Sequence, residues 1–168
     1  MTPTAVPPQI LVIGYGNTLR GDDGIGYQVA EAVAAWQRPH LRSLPVHQLL
    51  PELAAAIADV DVVVFIDAAI VSHPSSPHIT VESLIAARDA TFRTHLITPQ
   101  FLLGLSQRLY GAAPTAYLLT IPAIDFALGT TLSPLACRGK ALALGICHDI
   151  FQRLNTDQKT CPLFSSQD

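Results

Sequence analysis

Residues 10–26 read ILVIGYGNTLRGDDGIG. A short apolar run passes straight into a glycine-rich turn, and from residue 24 the apolar positions take up helical spacing: Ile25, Val29, Ala32, Val33 and Trp36. Strand, tight turn, helix is the opening unit of an α/β protein. A turn of this kind usually cradles a phosphate, yet this one carries the adjacent acids Asp22 and Asp23. It also lacks the third glycine of GxGxxG at its usual place, and nothing in the chain matches GxxxxGK[ST]. The glycines therefore serve a tight turn and close backbone approach, and the site attracts cations.

The alternation continues outward from this unit. LPVHQLL (44–50) reads as a second extended piece, followed by the helical PELAAAIA (51–58), with proline at a helix-starting position. DVVVFIDAA (61–69) is apolar without interruption, as in a strand buried on both faces. HITVES (78–83) reads as a strand. TPQFLLGLSQRLYG (98–111) is an amphipathic helix between a threonine N-cap and a terminal glycine. TAYLLTIPA (115–123) is a strand, and residues 133–154 form a closing helix. Residues 70–77 are too few for a parallel crossover, so the HITVES strand must run antiparallel. The expectation is a three-layer α/β/α fold around a mostly parallel, twisted five-stranded sheet with one antiparallel strand. One domain spans 1–168, with 1–8 and 155–168 as frayed tails; a chain of this length buries roughly 70% of its unfolded surface.

Composition excludes several classes. The chain is 49% hydrophobic and 14% charged, with net charge −3 and no lysine/arginine cluster. It offers no footprint for nucleic acid or for an anionic membrane. No apolar run reaches the roughly 20 residues of a membrane span, and MTPTAVPPQ does not read as a signal peptide. Cys137, Cys147 and Cys161 are odd in number and lack metal-type spacing, as expected of reduced thiols in a cytoplasm. HExxH and GxSxG are both absent.

In an open α/β sheet, ligands bind beyond the carboxyl ends of the parallel strands. Asp23 follows the first strand, and Asp67 closes FID in the third. The helix from residue 98 leads into a parallel strand, so it starts at the same edge and carries His95 there. Either acid of the turn also suits a helix cap, Asp67 also suits a turn, and His95 could be a solvated loop residue. Together, two carboxylates and an imidazole with coordination left open suit a borderline divalent ion such as nickel or zinc.

These residues resemble those of the [NiFe]-hydrogenase maturation endopeptidases. The resemblance spans most of the chain and rests on three anchors: GYGNTLRGDDGIG (14–26), FIDAA (65–69) and THLITPQFLLGLSQRLYG (94–111). The first carries the family pattern Gly-Asn-x-Leu-x-x-Asp-(Asp/Glu)-Gly-x-Gly. By motif, the resemblance implies that Asp23, Asp67 and His95 bind the nickel already installed in the hydrogenase large subunit and serve the catalysis. Many members carry glutamate where Asp23 stands. It further implies a cytoplasmic endopeptidase, aspartic-type or metal-assisted, that removes a C-terminal extension from the large-subunit precursor. The metal arrives with that substrate, and other divalent ions can replace it in vitro. His47–Gln48–Leu49, AYLLTIP (116–122) and LSPLA (132–136) are similar to the members serving the bidirectional, NAD-reducing hydrogenase, which assigns substrate specificity to the first three. The residues do not identify the general base, and AIDFALG (123–129) receives no role. Two other readings stay open: a metal-sensing chaperone that holds the subunit without cutting it, and a nucleotide-binding α/β enzyme.

Overall fold

The computed structural model describes residues 6–72, 78–88 and 97–156. It contains strands β1 (Ile10–Tyr15), β2 (Leu41–Val46), β3 (Val62–Ile70), β4 (Thr80–Leu84) and β5 (Thr115–Ala123), and helices α1 (Ile25–Ala34), α2 (Leu53–Ala58), α3 (Pro99–Tyr110) and α4 (Pro134–Thr156). The sheet order is β2-β1-β3-β5-β4. Every pairing is parallel except β4 with β5. The expected mixed, five-stranded three-layer fold is present, with β5 inserted between β3 and β4.

Side-chain alternation along the strands divides the interior into two layers. Leu11, Ile13, Val63 and Phe65 face Ile57, Leu102 and Leu103 of α2 and α3. Ile10, Val12, Val62, Val64 and Ile66 face Ile25, Val29 and Val33 of α1 and Ile150 and Phe151 of α4. Val62 to Ile66 are buried without exception, the condition that a continuous apolar run anticipates.

Local chemistry sets the helix ends. Thr98 caps α3 by accepting the Phe101 N–H at 3.2 Å, and Gly111 closes it in the left-handed conformation at φ 72°. Ser133 begins α4, its hydroxyl accepting the Ala136 N–H at 3.1 Å. Close approach of α1 to the sheet requires glycine at two positions. A Cβ on Gly14 would strike the Gly26 carbonyl, and one on Gly26 would strike the carbonyls of Ile66 and Tyr15. The second strand lies earlier than its apolar pattern indicated, at 41–46 instead of 44–50. Beyond Val46 the chain leaves the sheet because Leu49 buries itself in the α2/α3 layer.

Candidate functional site

Strand order reverses between β1 and β3, since the chain proceeds from β1 to one side and returns to the other. At the carboxyl ends of these strands lies an open cleft of about 480 Å³, lined by Tyr15, Gly16, Asp23, Asp67, Ile97 and residues 47–50. Its place is the one expected for a ligand in a doubly wound sheet.

Asp67 is the first β3 residue beyond the span paired with β1, whose register ends at Gly14 with Ile66. Strand β3 itself continues to Ile70 against β5, so Asp67 is not the strand terminus that its sequence position indicated. It follows Phe65 by two residues and therefore faces the α2/α3 layer. Tyr15, two residues after Ile13, faces the same way from the neighbouring strand. Its phenol donates to the Asp67 carboxylate, while the Ala68 N–H donates to Asp67 Oδ1 at 2.7 Å. Burial is the main force raising the Asp67 pKa; the nearby Asp23 charge adds to it, and the Tyr15 and Ala68 hydrogen bonds oppose it. The Tyr15 phenol is also pushed upward, first by burial and then by the Asp67 charge.

Asp23 comes from the 3-10 turn Gly21–Gly24 that joins the glycine loop to α1. It is half-buried, and its Oδ2 accepts the Asn17 N–H at 3.0 Å. Asn17 in turn accepts the Leu19 N–H at 2.9 Å through its side chain, which tightens the loop. Gly16 allows the loop to start there: its φ is 142°, and a Cβ would collide with the Asp23 carbonyl. Asp23 and Asp67 are thus two carboxylates at one cleft, close enough for the charge of one to disfavour that of the other. A cation between them would relieve both.

Asp22 has a different task. It is wholly buried, and neither acid of the turn caps α1, whose N-cap Gly24 receives no side-chain bond. Burial alone would raise the Asp22 pKa. The N–H groups of Ile124 and Ser133, the Ser133 hydroxyl and the Asp125 N–H outweigh that and hold it below the usual range. The Ser133 N–H and hydroxyl both lie at 2.7 Å, Ile124 N at 3.0 Å and Asp125 N at 3.1 Å. Backbone bonds from Gly21 N to Gly129 O and from Asp22 N to Asp125 O, each 2.8 Å, complete the clasp. Residues 123–129, to which no role could be given from sequence, hold the acidic loop in place.

His47 and Gln48 are exposed on the cleft wall, whereas Leu49 is 7% exposed and belongs to the core. The His47 ring stacks on Tyr27 of α1 with centroids 5.0 Å apart and planes 14° from parallel. His95 lies outside the described residues; Ile97, two positions on, lines the cleft. Among the described residues no group of three or more His, Cys, Asp or Glu side chains is gathered closely enough to hold a metal ion. Cys137 is an exposed free thiol. Cys147 is buried, and burial pushes its thiol up to about 12. Cys161 lies outside the described residues. Leu19 in the loop after β1, Ile70 at the end of β3, and Ile124 and Leu128 after β5 are exposed apolar side chains. Among the described residues, no helix is long and apolar enough to cross a membrane.

Neither protein-family models nor curated proteins match this chain. Solved structures do. The fold resembles that of the [NiFe] hydrogenase maturation protease HycI from Thermococcus kodakarensis KOD1, with TM-score 0.69 and 21% identity over 86% of this chain and 94% of that one. It also resembles HybD from Thermococcus kodakarensis, with TM-score 0.65 and 20% identity over 84% and 98% of the two chains. For the hydrogenase maturating endopeptidase HybD from E. coli the TM-score is 0.63, with 24% identity over 86% of this chain and 93% of that one. The chain thus shares, over 84–86% of its length, the architecture of solved hydrogenase maturation proteases.

Proposed function

We propose that this protein is an endopeptidase that removes the C-terminal extension of a nickel-loaded [NiFe]-hydrogenase large subunit. The observation that carries the reading is the pair Asp23 and Asp67, set at the switch-point cleft of a fold shared with hydrogenase maturation proteases. Mutual repulsion and the burial of Asp67 favour a cation at that cleft. The nickel belongs to the substrate. Asp23 and Asp67, joined by His95 through the family motif, fill its open coordination positions. Bound in this way the ion polarises the scissile carbonyl or a water as a Lewis acid, while the two carboxylates hold the metal-bearing segment against the cleft.

The exposed apolar side chains at and beyond the carboxyl ends of β1, β3 and β5 suit a protein substrate better than a small solute. A cytoplasmic setting accords with the unpaired Cys137 and Cys147 thiols. The resemblance of His47–Gln48–Leu49 narrows the substrate to the large subunit of the bidirectional, NAD-reducing hydrogenase, with His47 and Gln48 reading its surface.

A gel that follows the size of the nickel-loaded precursor tests the reading. The wild type should shorten the precursor, and Asp23→Ala, Asp67→Ala and His95→Ala should leave it at full length while remaining folded. A stable complex with the wild type that is never shortened would make the protein a chaperone. Normal processing by Asp67→Ala would remove the proposed site.

A further inference from the structure

We infer that Tyr15 is a positioning residue, whose hydroxyl fixes the Asp67 carboxylate in the orientation that receives a divalent cation. The inference rests on the reading of Asp23 and Asp67 as the metal-contacting pair. Its geometric basis is the sheet itself. Tyr15 and Asp67 occupy adjacent parallel strands, each two residues beyond the paired positions Ile13 and Phe65, so both side chains leave the same face at the same height. Both line the cleft.

An aspartate on a strand can turn about two side-chain torsions. Here the Ala68 N–H takes Oδ1 at 2.7 Å, and the Tyr15 phenol supplies a second donor to the carboxylate. One donor from the backbone and one from a packed ring restrain the carboxylate in the cleft that it shares with Asp23. Tyr15 is held in turn, because its ring packs against the α2/α3 layer. A carboxylate anchored by groups on rigid strands is already oriented when the cation arrives; a freely turning one must first be ordered.

A plainer account would have the phenol merely satisfying its own hydroxyl in a half-buried place. The two accounts differ over what Tyr15→Phe does. That variant keeps the ring and removes only the donor.

Zinc alone, titrated calorimetrically into the full-length protein, separates them when run beside precursor processing. Tyr15→Phe should melt where the wild type does, bind zinc about 10–100-fold more weakly, as is typical when a ligand loses its hydrogen-bonded support, and process with lowered kcat and unchanged KM. Wild-type zinc affinity in Tyr15→Phe would overturn the inference and leave the site standing. A Tyr15→Phe protein that fails to fold would also overturn it, by showing that the hydroxyl supports the fold. Absence of zinc binding in the wild type, together with normal processing by Asp67→Ala, would overturn the site and the inference with it.

Discussion

Asp22 and Asp23 are adjacent in the chain and belong to different parts of the molecule. Four donors converge on Asp22, so Asp22→Ala strands three backbone N–H groups and a hydroxyl and should cost about 3 kcal/mol in urea unfolding. Asp23 accepts from one backbone N–H at a half-buried position, and Asp23→Ala should cost less than about 1 kcal/mol. The pH dependence contributed by buried Asp22 and half-buried Asp67 has opposite signs. The native pKa of Asp22 is depressed, so its contribution is complete above the unfolded value of about 3.9 and is lost as pH falls through the native value. Asp22→Asn should therefore flatten the acid limb of the stability curve below about pH 4. The native pKa of Asp67 is raised, so its favourable contribution is complete below about pH 3.9 and is lost as pH rises through the native value. Above that native value the ionised form of Asp67 thus opposes folding. Asp67→Asn should raise the Tm of the apo protein while abolishing processing. Equal melting of variant and wild type at pH 7 would contradict this. Asp23 and Asp67 were legible as a pair because strand direction alone brings their segments to one edge. The roles of Asp22 and Tyr15 were not. The Asp22 partners lie more than a hundred residues away in 124–133, and Tyr15 was absorbed into the glycine turn although its spacing from Ile13 already gave its face.

At the scale of elements, glycine divides into positions that packing requires and positions it does not. Gly26→Ala would push a methyl group into two backbone carbonyls where α1 meets β1 and β3, and neither carbonyl can move without the sheet. It should cost about 2–4 kcal/mol, in the range of other strained core substitutions. Gly145 sits exposed within α4, where a Cβ would meet nothing within 4 Å. Gly145→Ala should stabilise by about 0.5–1 kcal/mol through helix propensity. Thermal or urea unfolding of the two alanine variants measures both. Caps and periodicity made α3 legible to within a residue at each end, because Thr98 and Gly111 punctuate it. The second strand was less legible. Val46, Leu49 and Leu50 prolong an apolar pattern that a strand or a core-seeking loop satisfies equally, and only the layer beneath α2 and α3 decides between them.

At the scale of the whole molecule, the cleft wall is divisible. Leu49 is core, whereas His47 and Gln48 are exposed. Replacing His47–Gln48 with Asp-Gly and keeping Leu49 should weaken processing of the NAD-reducing hydrogenase subunit and leave zinc binding intact. Equal activity per folded molecule would defeat the specificity assignment. The stack on Tyr27 gives a companion test: Tyr27→Ala frees the His47 ring and should weaken the same substrate in the same direction. The antiparallel strand was legible from the shortness of its connection. Its place at the sheet edge was not, because a connection too short to cross says nothing about which strand will later intervene.

The insertion of β5 between β3 and β4 also fixes an order of assembly. During synthesis β1, β2 and β3 can pair as they emerge, but one edge of β3, the apolar VVVFI, has no neighbour until residues 115–123 arrive. For some fifty residues of elongation the nascent chain carries an open strand edge, the template on which polypeptides add to one another. A chain halted after Tyr110 should accordingly aggregate, while one extended through Ala123 can close the gap; light scattering of the two fragments after dilution from urea would distinguish them. Placing the last-made strand inside the sheet makes the reach to solubility long, and makes this stage of synthesis the one at which a ribosome-associated chaperone has most to protect.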